Sequence, residues 1–278
     1  MRDLRVTKDK VVYALNTKKL HPSVPEVVVT IIQITRSPNS SINELVGVIE
    51  QDPALTSRIL SIANSGFYGA ERKARTISEA VVLMGWNTIK MISLGSTILK
   101  VISERDLHLY SHSMRTAQIA KFFATEAKFY KVEEISVVGL LHDIGRIILQ
   151  EYFNEDYLAA KQYAVDHAVP MYIAERELLG VDHAEIGGWT VDEWNLPDNI
   201  IESIARHHSY DPNTYHAKKT AVIHVADSVA LAADYFGHSW EKVTEIEPSA
   251  LKTLGFTEDM FKKLVLSSMK MKFESLIL

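Results

Sequence analysis

The 278-residue chain contains no cysteine. Disulfides, thiolate metal sites and cysteine nucleophiles are thereby excluded, and any metal site must be built from His, Asp, Glu or water. No apolar run approaches the ~18 residues that a membrane span requires. The first residues lack the apolar core of a signal peptide, so a cytoplasmic protein with no membrane association is expected. An excess of positive charge is also missing. Lys and Arg number 30 against 35 Asp and Glu, for a net charge of −5, which disfavours a dedicated nucleic-acid binder. Two local exceptions are the basic helix expected over residues 1–19 (Arg2, Arg5, Lys8, Lys10, Lys18 and Lys19 against Asp3 and Asp9) and the stretch "GAERKAR". The first reads as a solvated helix face. No repeat, low-complexity stretch or long linker is detectable, and no segment alternates with period two over the length of a strand.

What remains is helical periodicity, in a chain that is 47% hydrophobic and long enough for one large domain or two modest lobes. Pro25 stands near the start of "VPEVVVTIIQITR", an apolar helical stretch ending near Ser37-Pro38. Ser41 with Glu44 forms a capping box before "SINELVGVIEQ". Asp52-Pro53 places an N-cap before a proline at the first helical position. The glycines of "NSGFYG" end that helix in a turn. Thr76 and Glu79 predict a second capping box, and Gly85 divides the apolar stretch that follows into two helices. Further helices are expected over "LYSHSMRTAQIAKFFATEA", "EEISVVGLLHDIGRIILQEYF", "YLAAKQYAVDHA", "HAEIGGWTVDEWN", "DNIIESIARHH", "KKTAVIHVADSVALAADYF" and the C-terminal stretch from Thr257. The fold class expected is all-α, with a lobe boundary near residue 105 at the polar "SERDLH".

Eleven histidines are unevenly placed on these helices. His108 and His112 are four apart and share a face. His142 and Asp143 sit together inside one apolar helix. His183 starts another, next to the Asp182 cap. His207 and His208 end a further helix, and His224 and Asp227 share a face three residues apart. Each has a plain alternative: a lone core histidine bonded to a carbonyl is commoner than a ligand, and two histidines at a helix end can offset its dipole. His21, His167, His216 and His238 have no such company. Together the set is stronger than its parts. Imidazole and carboxylate donors without thiolate suit Fe, Mn, Ni, Zn or Co, one ion or two. A carboxylate such as Asp143 is suited to bridge two ions by offering one oxygen to each.

The order His112, His142-Asp143, Asp227 resembles the H…HD…D signature of the HD phosphohydrolase superfamily. The segments "LHPSVPEVVVTIIQI", "VIEQDPALTSRILSIANSGFYG", "RTISEAVVLMGWNTIKMISL", "GLLHDIGRIIL" and "DHAEIGGWTVDEWNLPDNIIESIARHH" resemble more closely the HDOD family, the HD-related output domain of bacterial signalling proteins. The resemblance implies an HDOD domain over 20–215, preceded by the basic helix and followed by a helical extension over 216–278 that completes the HD-like lobe. It implies a stand-alone regulatory protein. The chain is also similar to the HD-GYP phosphodiesterases, whose pattern extends the metal set to His183, His207 and His208, with His108 as an additional candidate where those enzymes carry glutamate. Their GYP loop is replaced by "SYDPN", which removes the loop that holds a cyclic dinucleotide.

Two functions follow as expectations. One is a signal-transduction module that retains a metal site and acts on a signalling protein partner. The other is a metal-dependent phosphohydrolase acting on a phosphoester ligand. In the second, Asp143 and Arg146 are the catalytic candidates, with Arg146 either steadying a phosphate or pairing with an acid.

Overall fold

The computed structural model describes residues 6–17, 30–31, 33–34, 37, 40–64, 73–236 and 241–271. Among these every regular element is an α-helix, as the periodicity requires. The expected turn at "NSGFYG" beyond Asn64, most of "GAERKAR" and much of "VPEVVVTIIQITR" lie outside the described residues.

The first helix, α1 (Lys8–Thr17), is followed by α2 (Ile42–Glu50), α3 (Pro53–Ala63), α4 (Ile77–Met84) and α5 (Trp86–Arg105). Their starts are written in the caps. Ser41 and Glu44 form the reciprocal capping box, and the Asp52 carboxylate accepts from the backbone N–H of Ala54 and Leu55, with Pro53 leading α3. At α4 the box is offset by one residue. The Thr76 hydroxyl accepts from Glu79 N–H, while the Glu79 side chain accepts from the N–H of Arg75. Gly85, at φ 87°, makes the break between α4 and α5, in a conformation that disfavours any side chain.

The remaining helices are α6 (Leu107–Glu126), α7 (Val132–Leu141), α8 (Ile144–Tyr152), α9 (Asn154–His167), α10 (Met171–Leu179), α11 (His183–Glu193), α12 (Asp198–Ala205), α13 (Ala217–Phe236), α14 (Pro248–Leu254) and α15 (Glu258–Met269). The continuous helix expected across "EEISVVGLLHDIGRIILQEYF" is instead two, α7 and α8, broken at His142 and Asp143. The break has a local cause. His142 Nδ1–H donates to the carbonyl of Gly139 at 2.8 Å, and Asp143 leaves the helical path at φ −94°, ψ 15° before α8 restarts. The bend turns both side chains toward one point.

One apolar core runs from Leu45, Ile59 and Ile77 through Leu94 to Phe123, Ile135, Leu141, Ile204 and Val222. A second gathers Val6 and Val11 with Ile148, Leu149, Tyr157, Met171, Leu179 and Ile186. Helix α8 joins the two, with Ile144 in the first core and Ile148 and Leu149 in the second. Helix α1 packs on α11; Val6 N–H donates to the Leu179 carbonyl, and Lys8 stays exposed beside Asp192 at 3.3 Å. Its basic residues Lys8 and Lys10 do lie on an exposed face, and Val11 is the buried side.

Candidate metal centre

Two groups of metal-ligating side chains meet between α6, α8, α11 and α13. His112, His142 and Asp227 form one, and Asp143, His183, His207 and His208 the other; within each, the donor atoms lie within 4.8 Å of one another. All seven side chains are at most 2% exposed. The structure therefore brings together every residue of the expected metal set except His108, which lies exposed in the first turn of α6.

Local structure aims each ring. His112, in mid-α6, places Nε2 at 3.0 Å from Asp227 Oδ1 and 3.2 Å from His142 Nε2. His183 is the first residue of α11, set by the Asp182 cap, which accepts from Glu185 N–H. His207 and His208 lie in the turn after α12, where His207 Nδ1–H donates to the Ile204 carbonyl at 2.7 Å. The same i−3 pattern holds His142, so both rings turn Nε2 inward. Asp143 stands between the groups. Its Oδ1 is 3.0 Å from His183 Nε2 and 3.8 Å from His207 Nε2, while its Oδ2 is 3.5 Å from His142 Nε2 and 3.7 Å from His112 Nε2. Each oxygen faces a different group.

The donor set fits divalent ions. Oδ2 of Asp143, Oδ2 of Asp227, Nε2 of His207 and Nδ1 of His208 are buried without a hydrogen-bond partner. Lone pairs left this way in the interior are costly, and they converge. Charge follows the same plan. Burial works against a proton on His112, but its hydrogen bonds to Asp227 and Asp234 outweigh that and push it up to about 10. Burial likewise opposes charge on His183, where Glu175 and Asp143 outweigh it and push it up to about 10. His207 is pushed down to about 3 by burial and by His142, and His208 is lowered by burial and its histidine neighbours. Asp143 and Asp227 stay ionised despite burial, Asp143 through Arg146, His142 and His183, and Asp227 through His112 and His142. His112 in one group and His183 in the other thus favour their protons, positive charge standing where a cation's would otherwise lie.

Arg146 takes the acid-pairing role of the two open to it. Its Nη1 and Nη2 donate to Glu241 at 2.7 and 2.5 Å, and its Nε lies 3.3 Å from Asp143 Oδ2. The guanidinium is engaged by carboxylates on both sides. His224 is a satisfied core histidine. It donates from Nδ1 to the His207 carbonyl and accepts at Nε2 from Glu247 N–H.

Three residues around the centre escaped the sequence reading. Glu175, fully buried on α10, accepts at Oε2 from both the backbone N–H and Nδ1–H of His183, at 2.8 and 2.5 Å. Asp234 lies 3.2 Å from His112 Nδ1 and 2.9 Å from Arg115 Nε. Glu241 holds Arg146. Two had a signal. Glu175 falls on the stripe Met171, Ala174, Leu179, all buried, and Asp234 follows Asp227 by two helical turns. Helix α10 adds Tyr172, whose ring stacks on His208 with centroids 4.4 Å apart.

The family described as HDOD domain matches residues 21–210. An uncharacterized protein of Treponema pallidum is 26% identical over 192 residues, 68% of this chain; the chain spans 37% of that relative's length. Among solved structures, an HDOD domain protein of Geobacter sulfurreducens is similar at 23% identity with a TM-score of 0.67, covering 98% of each chain. A candidate phosphohydrolase of Shewanella amazonensis SB2B is similar at 22% identity with a TM-score of 0.62, covering 96% of each chain. No described helix is long and apolar enough to cross a membrane.

Proposed function

Since this chain belongs to the HDOD family, we propose that it is a regulatory protein of signal transduction built around a divalent metal centre. His112, His142 and Asp227 would hold one ion, and His183, His207 and His208 a second, with Asp143 offering an oxygen to each side. The observation that carries this reading is the pair of Asp143 oxygens, buried and facing separate histidine groups, Oδ2 toward His142 and Oδ1 toward His183. The ligand chemistry suits Fe, Mn, Ni, Zn or Co. Burial of all seven side chains favours regulation over turnover, because bulk solvent does not reach the donors. The effector is then a signalling protein partner that reads the packing of the helices around the centre.

A second reading, a metal-dependent phosphohydrolase, is supported by the completeness of the same ligand set. Ions bound there would acidify water and offset phosphate charge. The chain's own part is to keep Asp143 ionised through Arg146, to hold the Nδ1 protons of His142, His183 and His207 on backbone or carboxylate acceptors, and to exclude bulk water. This activity requires the closed centre to open to a phosphoester.

One experiment separates the readings. The metal content of protein purified without chelator is measured, and an aryl phosphodiester is then assayed with added Mn or Ni. Metal-loaded protein without turnover supports the regulatory centre. Turnover that disappears in Asp143→Ala supports the hydrolase. Protein that holds no metal under either condition removes both.

A further inference from the structure

We infer that Glu175 of α10 is a positioning residue that decides whether the group at His183 holds its ion. The inference rests on the metal-centre reading above. Glu175 is 0% exposed, in the apolar stripe by which α10 packs. A carboxylate in that place is expensive unless it is bonded. Among the described residues its hydrogen bonds run to His183 alone, and one oxygen, Oε2, accepts both of them. The bond from the backbone N–H fixes where α11 begins. The bond from Nδ1–H fixes how the ring is turned and leaves Nε2 as the inward donor. That Nε2 lies 3.0 Å from Asp143 Oδ1 and 2.9 Å from His208 Nε2.

The two groups are not supported alike. His142 and His207 are held by the carbonyls of Gly139 and Ile204. His112 is held by Asp234, whose charge is shared with Arg115 and whose side chain is 11% exposed. His183 is held by a carboxylate that is fully buried. Carboxylates behind ligating histidines orient the ring and raise its donor strength, and losing one lowers metal affinity about 10–100-fold. Glu175 therefore acts on one ion of the pair and leaves the His112 group as it is.

The test uses the full chain, stripped of metal and titrated with Mn(II), read by Mn per chain and by electron paramagnetic resonance. Wild type is expected to take up two ions with the spin-coupled spectrum of an adjacent pair. Glu175→Ala is expected to bind one ion at wild-type affinity, with an uncoupled six-line spectrum, and the second about 10–100-fold more weakly. Glu175→Gln keeps the shape and one acceptor, so it guards against a folding defect and gives a smaller loss confined to the same ion. Glu175 variants that keep the coupled pair at wild-type affinity overturn the inference, as does equal weakening of both ions in folded Glu175→Gln. Wild type that takes up no Mn(II) overturns instead the metal-centre reading on which the role of Glu175 depends.

Discussion

Gly145 lies directly against the backbone of His183. A Cβ on Gly145 would stand 2.0 Å from the His183 carbonyl oxygen and 2.8 Å from Gly187 N. Helices α8 and α11 cross at this point, and the absence of a side chain is what allows it. The approach has a direct consequence for the centre. Asp143 is two residues before Gly145 and His183 opens α11, so the crossing sets their side chains 3.0 Å apart.

Gly145→Ala is therefore expected to damage the centre and the fold together. The atom it would strike is backbone, which cannot swing aside, so α8 and α11 must separate. Overpacking of a close contact costs about 1–3 kcal/mol, and a backbone clash this deep belongs at the upper end or beyond. Thermal melting of the metal-free chain and metal per chain are the measurements. A variant with wild-type melting and two ions would show that the crossing does not hold the site.

His108 and His112 share a sequence pattern but not a fate. His108 is exposed, while His112 is buried between Asp227 and Asp234. His108→Ala is expected to leave metal stoichiometry unchanged and stability within about 0.5 kcal/mol, as for an ordinary surface change. His112→Ala is expected to lose the ion of its group. Elemental analysis of the two purified variants decides it, and a loss of metal in His108→Ala would restore His108 as a ligand.

The clustered histidines and aspartates were legible in the sequence because each combines a chemically distinctive side chain with a place inside or at the end of an apolar stretch. The cap at Asp182 even located the start of α11. The bend at His142-Asp143 was not legible, since "GLLHDIGRII" keeps the apolar content of one helix, and the bend arises from the His142–Gly139 bond and the crossing at Gly145. Glu175 and Asp234 were missed for a different reason. A carboxylate on an amphipathic helix reads as solvated until its neighbours are known, and theirs come from eight and 122 residues away. The pairing of Arg146 depends on Glu241, 95 residues on, and no local pattern announces it.

That pair gives a stability prediction. Arg146 and Glu241 are 4% and 3% exposed and joined by two hydrogen bonds. Removing one partner strands a buried charge, at a cost of about 3–5 kcal/mol. Arg146→Met is expected to fall in that range in urea melts, because both Glu241 and Asp143 lose their cation. The double variant Arg146→Met/Glu241→Leu should recover part of the loss, but not all, since Asp143 still lacks the Arg146 cation. Additive single and double effects would mean that the two side chains are not coupled.

Metal affinity should rise with pH across the neutral range. In the metal-free protein His112 and His183 are both pushed up to about 10, so each carries a proton at neutral pH. An ion at either group must displace that proton, because a ligating imidazole offers a lone pair in place of N–H. Below about 10 the proton competes, and affinity falls as pH falls, by up to about tenfold per pH unit for each proton displaced. His207, pushed down to about 3, is already neutral and contributes no such competition. Calorimetric titration at pH 7 in buffers of different ionisation enthalpy measures the effect. The heats should differ by the release of about one proton per ion. Heats that do not depend on the buffer would show that the two histidines are neutral before the metal arrives, and that the carboxylates around them do not hold the charge the geometry assigns.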